Sequence, residues 1–155
     1  MRKKWLFVGI AVAGLLICLT VAMQFMKVVD NPPVTQEIPA PANVKAIFRK
    51  SCFDCHSNET RITWLQKLPV AAWMVQSDVK GARSVLNFTE WNKYTPMEQD
   101  GLIYLAVNAA IKDQMPPSDY LWIHPDTRLT KEDKAVLKNW LLSLSPDQVD
   151  VPILK

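Results

Sequence analysis

The sequence predicts an all-α protein, one helical domain behind a single membrane-length apolar helix. Three observations predict it. Apolar residues recur at helical spacing after Asn43, after Thr95 and after Thr130. Nowhere do apolar and polar residues alternate over the length of a strand. And Trp5 to Met26 carries no charge, with Thr20 and Gln24 its only distinctly polar residues.

That uncharged stretch is long enough to cross a bilayer as a helix, at ~1.5 Å per residue against ~30 Å of hydrocarbon. Met1-Arg2-Lys3-Lys4 precedes it, and a basic start stays cytoplasmic, so everything after Lys27 is expected on the far side. A cleaved signal peptide would need a small-residue site; Thr20-Val21-Ala22 offers one, but the apolar run continues past it to Met26. A lipoprotein signal would need a small residue before Cys18, and Ile17 is not small. Residues 1–27 are therefore expected to be an uncleaved anchor, with Cys18 a small apolar residue in the bilayer.

The formal net charge of +3 resides in this anchor. Arg2, Lys3, Lys4 and Lys27 are four of the 18 basic residues, which leaves 14 against 15 acidic residues in the rest of the chain. A near-neutral remainder has no basic stripe for a nucleic acid. Residues 28–42 hold Pro32, Pro33, Pro39 and Pro41 and no glycine. Such a linker is expected to extend at ~3.1 Å per residue and hold the domain up to roughly 45 Å from the membrane.

Chemistry concentrates in Cys52-Phe53-Asp54-Cys55-His56. Two cysteines three apart with a histidine directly after them have the spacing of a c-type haem attachment site. Thiols on adjacent turns reach the two vinyl groups on one haem edge, and the next residue offers an imidazole to the iron. The chain has only 3 cysteines and 2 histidines. A zinc site would want two more ligands, and outside the motif there remain only His124 and the apolar-run Cys18. A thioredoxin-like pair would want a βαβ context, and none is evident.

The remaining elements follow in order. Asn43 is expected to cap a helix running to about Cys55, with Val44, Ile47 and Phe48 as its apolar stripe. Ser57-Asn58-Glu59-Thr60 has the composition of a polar turn. Trp64, Trp73, Phe88 and Trp91 are residues that would enclose a haem, or form ordinary core. A helix is expected from Pro69 to about Lys80, ended by Gly81. Arg83 is a candidate to pair with a haem propionate, since a guanidinium suits carboxylates.

Thr95-Pro96-Met97-Glu98 opens a helix to about Ile111, with Leu102, Leu105, Ala106 and Ala109 at core spacing. Met115-Pro116-Pro117 forces a helix-free strap that would present a thioether to the iron's other face. Met115 is the expected distal ligand, with His124 and Met97 as rivals. Residues 118–128 look irregular. Thr130 and Asp133 make a near capping box for a last helix whose face, Val136, Leu137, Trp140, Leu141 and Leu144, is the natural partner of the first stripe. Pro146 is expected to end it, and residues 146–155 form a tail.

Several of these blocks together resemble class I c-type cytochromes: an early helix ending in Cys-x-x-Cys-His, a Met-Pro-Pro strap, and a last helix opening Leu-Thr-x-Glu-Asp. The likeness is closer to a family of small bacterial haem-binding domains. It is carried by Cys-x-x-Cys-His-Ser-Asn-x-Thr at 52–60, Leu-Asn-Phe-Thr-Glu-Trp at 86–91, Met-Pro-Pro at 115–117, and Tyr120, His124, Pro125 and Leu129. It covers about residues 43–145, and departs from the family at Thr63-Trp64-Leu65, where relatives often show Pro-Trp-Tyr. The resemblance implies one covalently attached haem c on Cys52 and Cys55, His56 as proximal and Met115 as distal iron ligand, and a cytochrome c-like helical domain.

The function expected is that of a monohaem electron carrier on the periplasmic face of a bacterial inner membrane, rather than a catalyst. Its partners would be membrane oxidoreductases, soluble cytochromes or peroxidases. The alternatives are a haem sensor or peroxidase-type enzyme with a displaceable sixth ligand, and a structural haem subunit of a membrane complex.

Overall fold

The computed structural model describes residues 2–25 and 27–144. Among these, all regular structure is helical, and the β pairing is limited to an isolated parallel bridge between Gln36 and Glu90. Pro146 and the expected tail lie outside the described residues.

The first helix, α1 (Arg2–Met23), is long and apolar enough to cross a membrane, and the rest of the chain buries none of its apolar window. The segment behind it is not the free spacer that its prolines suggest. Ile38 is completely buried and Val28 nearly so. The Ile38 amide donates to the Phe88 carbonyl at 2.8 Å, and the Trp91 amide donates back to Gln36 at 2.9 Å. Asn31 and Thr60 exchange side-chain–backbone bonds, and the Asn58 amide donates to the Pro33 carbonyl. Proline cannot donate, but the non-proline positions between can, and an apolar residue such as Ile38 gives the strand a buried point of attachment. Residues 28–38 therefore form a strap lying on the domain.

The helix predicted to run through the cysteine motif is two helices. α2 (Ala42–Ser51) starts two residues early, capped by Pro41 rather than Asn43, whose side chain accepts instead from the next amide. It breaks at Cys52, and α3 (Phe53–His56) follows. The stripe Val44, Ile47 and Phe48 is buried as expected. Phe48 stacks on Phe88 at 4.6 Å and meets the edge of Trp140 at 5.9 Å, so α2 does cross the last helix, α7 (Lys131–Leu144). Within α7, Leu137, Trp140 and Leu141 form the buried face, while Leu144 is exposed. Thr130 and Asp133 close their capping box in both directions.

Helix α4 (Pro69–Val85) continues through Gly81 instead of stopping there. A helical glycine costs only about 1 kcal/mol, and packing of this helix against α3 overrides it. α5 (Pro96–Ile111) has the predicted Thr95–Glu98 capping box, but its core face is Ile103, Val107 and Ala110. Leu102 and Ala106 flank that face, and Leu105 is exposed, so the expected stripe was offset by part of a turn. The stretch read as irregular after the prolines contains α6 (Ser118–Ile123) and a 3-10 turn, Pro125–Thr127. Trp91 and Phe88 are core, whereas Trp64 and Trp73 are exposed.

Two predictions follow from this packing. Ile38→Ala should lower unfolding stability by about 2–5 kcal/mol in urea denaturation, as for any buried aliphatic truncation; a free spacer would lose nothing. The second concerns pH. Burial pushes the Asp133 carboxyl up, but Lys50 at 2.5 Å and the Thr130 amide outweigh it and hold its pKa below the usual 3.8. Its contribution is thus full above that pH and lost as pH falls through the lowered value. Urea midpoints followed from about pH 6 to about pH 3 should fall less steeply in Asp133→Asn than in the wild type.

Candidate functional site

The site is built where α3, α4 and the strap through Met115 meet. Ser57 turns the chain out of α3 by donating to the Phe53 carbonyl at 2.7 Å, and the 86–91 segment passes directly beneath. The Phe88 amide donates to the His56 carbonyl at 2.8 Å. Asn58, Asn87 and Thr89, all buried, satisfy one another: Asn87 Nδ2 donates to Asn58 Oδ1, the Asn58 amide to Thr89 Oγ1, and both the Thr89 amide and hydroxyl to Asn87 Oδ1.

This register sets His56. Its Nδ1 lies 3.1 Å from the Leu86 carbonyl, which can only accept, so Nδ1 carries the proton and Nε2 keeps a free lone pair. Burial holds the imidazole below the usual histidine range, against the pull of the Leu86 and Ala82 carbonyls. A neutral ring, oriented by its other nitrogen, is the state a metal requires.

His56 faces a cleft of about 500 Å³, a size typical of small-molecule sites. Cys52 and Cys55 line it, with Leu65, Ala71, Met74, Val75, Val85 and Ile123 as apolar wall. Met115, Pro116, Pro117 and His124 line the same cleft, so α3, the proline strap and α6 converge there. The positive φ of Asp113 turns the chain out of α5, and the Gln114 and Met115 amides both donate to the Ala109 carbonyl. Met115 remains 41% exposed.

Burial, then the neighbouring Cys55, pushes the Cys52 thiol up to about 12. Burial and the surrounding carboxylates of Asp54, Asp78 and Asp119 push Cys55 up to about 11. A dithiol redox pair needs a thiolate, and this cleft penalises one; an uncharged thioether suits it. Among the described residues no three His, Cys, Asp or Glu side chains come together as a metal site.

A family model for the haem-binding domain matches residues 12–143. The chain belongs to the haem-binding domain family. No curated protein and no solved structure matches it. The residues present fit the family's cofactor: a largely apolar cleft, a half-buried imidazole with a free nitrogen, and two thiols beside it held neutral.

The other predicted residues are placed differently. Arg83 does not line the cleft. Its guanidinium donates to the carbonyls of Ser57 and Asp30 and to the side chains of Asn31 and Thr60, which clamps the strap to α4. No Lys or Arg lines the cleft among the described residues, so no protein cation stands there for a propionate. His124 does line it, but its Nε2 is 3.4 Å from Gln66 Nε2. The Gln66 oxygen accepts from the Thr63 amide and hydroxyl, so its amino group faces His124 and engages that nitrogen. Met97 is 83% exposed and outside the cleft. Trp64 and Trp73 are not in the lining either.

Two contacts to Asp54 are not evident from the sequence. Tyr120 donates its hydroxyl to Asp54 Oδ2 at 2.9 Å, tying α6 to the middle of the cysteine motif, and Arg61 holds the same carboxylate from the other side. Burial and Asp54 raise the phenol well above its ordinary pKa, so it stays a donor. Asp54 in the motif and Tyr120 are both visible in the sequence, but neither names its partner. Tyr120→Phe should cost about 1–2 kcal/mol in urea denaturation, because it removes a hydrogen bond to a charged acceptor.

Proposed function

We propose that this protein is a membrane-anchored monohaem cytochrome of the c type, passing single electrons between redox proteins on the periplasmic face of a bacterial inner membrane. One observation carries the reading: Cys52, Cys55 and His56 share one apolar cleft with Met115, and the His56 ring is held with Nε2 free. In this reading Cys52 and Cys55 hold a single haem by thioether bonds. His56 is the proximal ligand through Nε2, and Met115 is the distal ligand.

Bound there, the haem iron would supply one-electron redox chemistry at a potential raised by a thioether ligand. The chain's own part is to hold that site closed. The Leu86 carbonyl orients His56, the two prolines stiffen the segment bearing Met115, and the apolar wall excludes water. His124 is the imidazole left to act as acid or base, and its engagement by Gln66 favours a carrier over a catalyst. The helix α1 tethers the domain among its partners, which are membrane oxidoreductases, soluble cytochromes or peroxidases, and raises their effective concentration.

A second reading has its own support: Met115 is partly exposed and His124 lines the same cleft. A sensor or peroxidase-type enzyme would use a displaceable distal ligand there. Optical spectra of the ferric and ferrous holoprotein separate the two. Met115→Ala is expected to abolish the sulfur-to-iron charge-transfer band and turn the iron high-spin, while His124→Ala leaves both unchanged. An unaltered spectrum in Met115→Ala would remove the thioether from the iron and move the second reading ahead. A haem that extracts into acid–organic solvent would rule out thioether attachment.

A further inference from the structure

The cofactor cleft accounts for the exposure of Leu65, Met74 and Ile123, but not for several other large apolar side chains, which include Met97, Leu105 and Trp122 as single positions and Trp64, Val70 and Trp73 as a group. Trp64, Val70 and Trp73 are 69%, 72% and 70% exposed, and none lines the cleft. They are close together in the chain. Trp64 precedes the 3-10 turn Leu65–Lys67, and Val70 and Trp73 lie one turn apart at the start of α4. Scattered exposed hydrophobes need no explanation, but a cluster of two tryptophans and a valine does.

The same segment is fastened to the end of the anchor. Lys67 Nζ donates to the Gln24 carbonyl at 2.5 Å, just past the last turn of α1, where the unpaired carbonyls of a helix end favour a cation. Met23 and Gln24 are half-buried, in contrast to the exposed residues before them. Among the described residues the chain is back on the domain by Val28, which is buried, and the strap runs on to Ile38. The domain thus begins where the membrane-length helix ends. The side of it nearest that end carries the amphipathic residue type that settles in headgroup regions, beside a lysine able to reach up to them.

We infer that the turn Leu65–Lys67 and the first turn of α4 lie in the headgroup region of the bilayer that α1 crosses, with Trp64, Val70 and Trp73 as interfacial anchors. The inference rests on the reading of α1 as a membrane anchor. Leu65, Ala71, Met74 and Val75 belong to these same two elements, so one segment presents its inner face to the cofactor and its outer face to lipid. The cleft then sits at the membrane surface, and a redox partner meets it there and not at a stalk's distance.

The test uses the full-length holoprotein in phosphatidylcholine–phosphatidylglycerol vesicles. A nitroxide on a keto amino acid is placed singly at Trp64, Trp73, Leu105 or Val12, which leaves the cysteines untouched. Collision with oxygen is compared with collision with a water-soluble nickel chelate. The expected oxygen-to-nickel ratio is severalfold higher at Trp64 and Trp73 than at Leu105, an exposed leucine on α5, and highest at Val12 within α1. A ratio at Trp64 and Trp73 equal to that at Leu105, with Val12 still deep, would overturn the docked face and leave the anchor standing. A water-like ratio at Val12 would overturn both. Should the labels at Trp64 and Trp73 disturb the face they report on, Val70 labelled in a Trp64→Ser/Trp73→Ser background gives the converse result: its ratio falls to the aqueous value if the tryptophans hold it in lipid, and stays unchanged if they do not.

Discussion

The structure depends on a small set of buried polar groups that satisfy one another across two segments of the chain. Asn58, Asn87 and Thr89 are at most a few per cent exposed, and each would lose about 1–3 kcal/mol if left unpaired away from water. That penalty selects one register for the segment behind α4 against the turn behind the cysteine motif. Everything at the site follows from this register. It places the Leu86 carbonyl on His56 Nδ1, Phe88 edge-on to the imidazole at 6.2 Å, and the Phe88 and Thr89 carbonyls where the strap can pair with them.

The electrostatics of the cleft agree with its shape. A wall that raises both thiols and keeps an imidazole neutral is poor at holding thiolate and good at holding an uncharged, apolar group. Among the described residues three aspartates and no lysine or arginine line it, so none of them offers a cationic partner to the polar edge of a bound group. Arg83, which has the right chemistry for such a partner, instead binds four acceptors around the strap. Guanidinium recognises any well-placed set of oxygens, and here two backbone carbonyls and the Asn31 and Thr60 side chains supply them.

The same clamp changes what the segment behind the membrane-length helix does. Four prolines without a glycine would extend an isolated chain, and they do keep this one extended. Extension is also what lets residues 31–38 lie along the 86–91 segment and exchange hydrogen bonds with it. A stand-off spacer and a docked strap have the same local conformation; they differ only in whether a surface is available to pair with.

Much of the molecule was legible in its residues, because much of it is set by short-range chemistry. Chain length and apolarity determine α1, proline and threonine determine the start of α5, and thiol and imidazole spacing determine the cofactor class to which the family membership also points. Helical periodicity identified the stripes on α2 and α7, and it erred at Leu105 because several registers of an apolar-rich helix look alike until a partner selects one. What only the tertiary structure decided involves groups far apart in the chain or carrying no side-chain signature. The carbonyl that orients His56, the hydroxyl that reaches Asp54 and the acceptors that occupy Arg83 are of this kind. So are the burial of Ile38 and the exposure of Trp64 and Trp73. A sequence lists donors, acceptors and apolar area, but the pairing among them is a cooperative choice made by the whole packed chain.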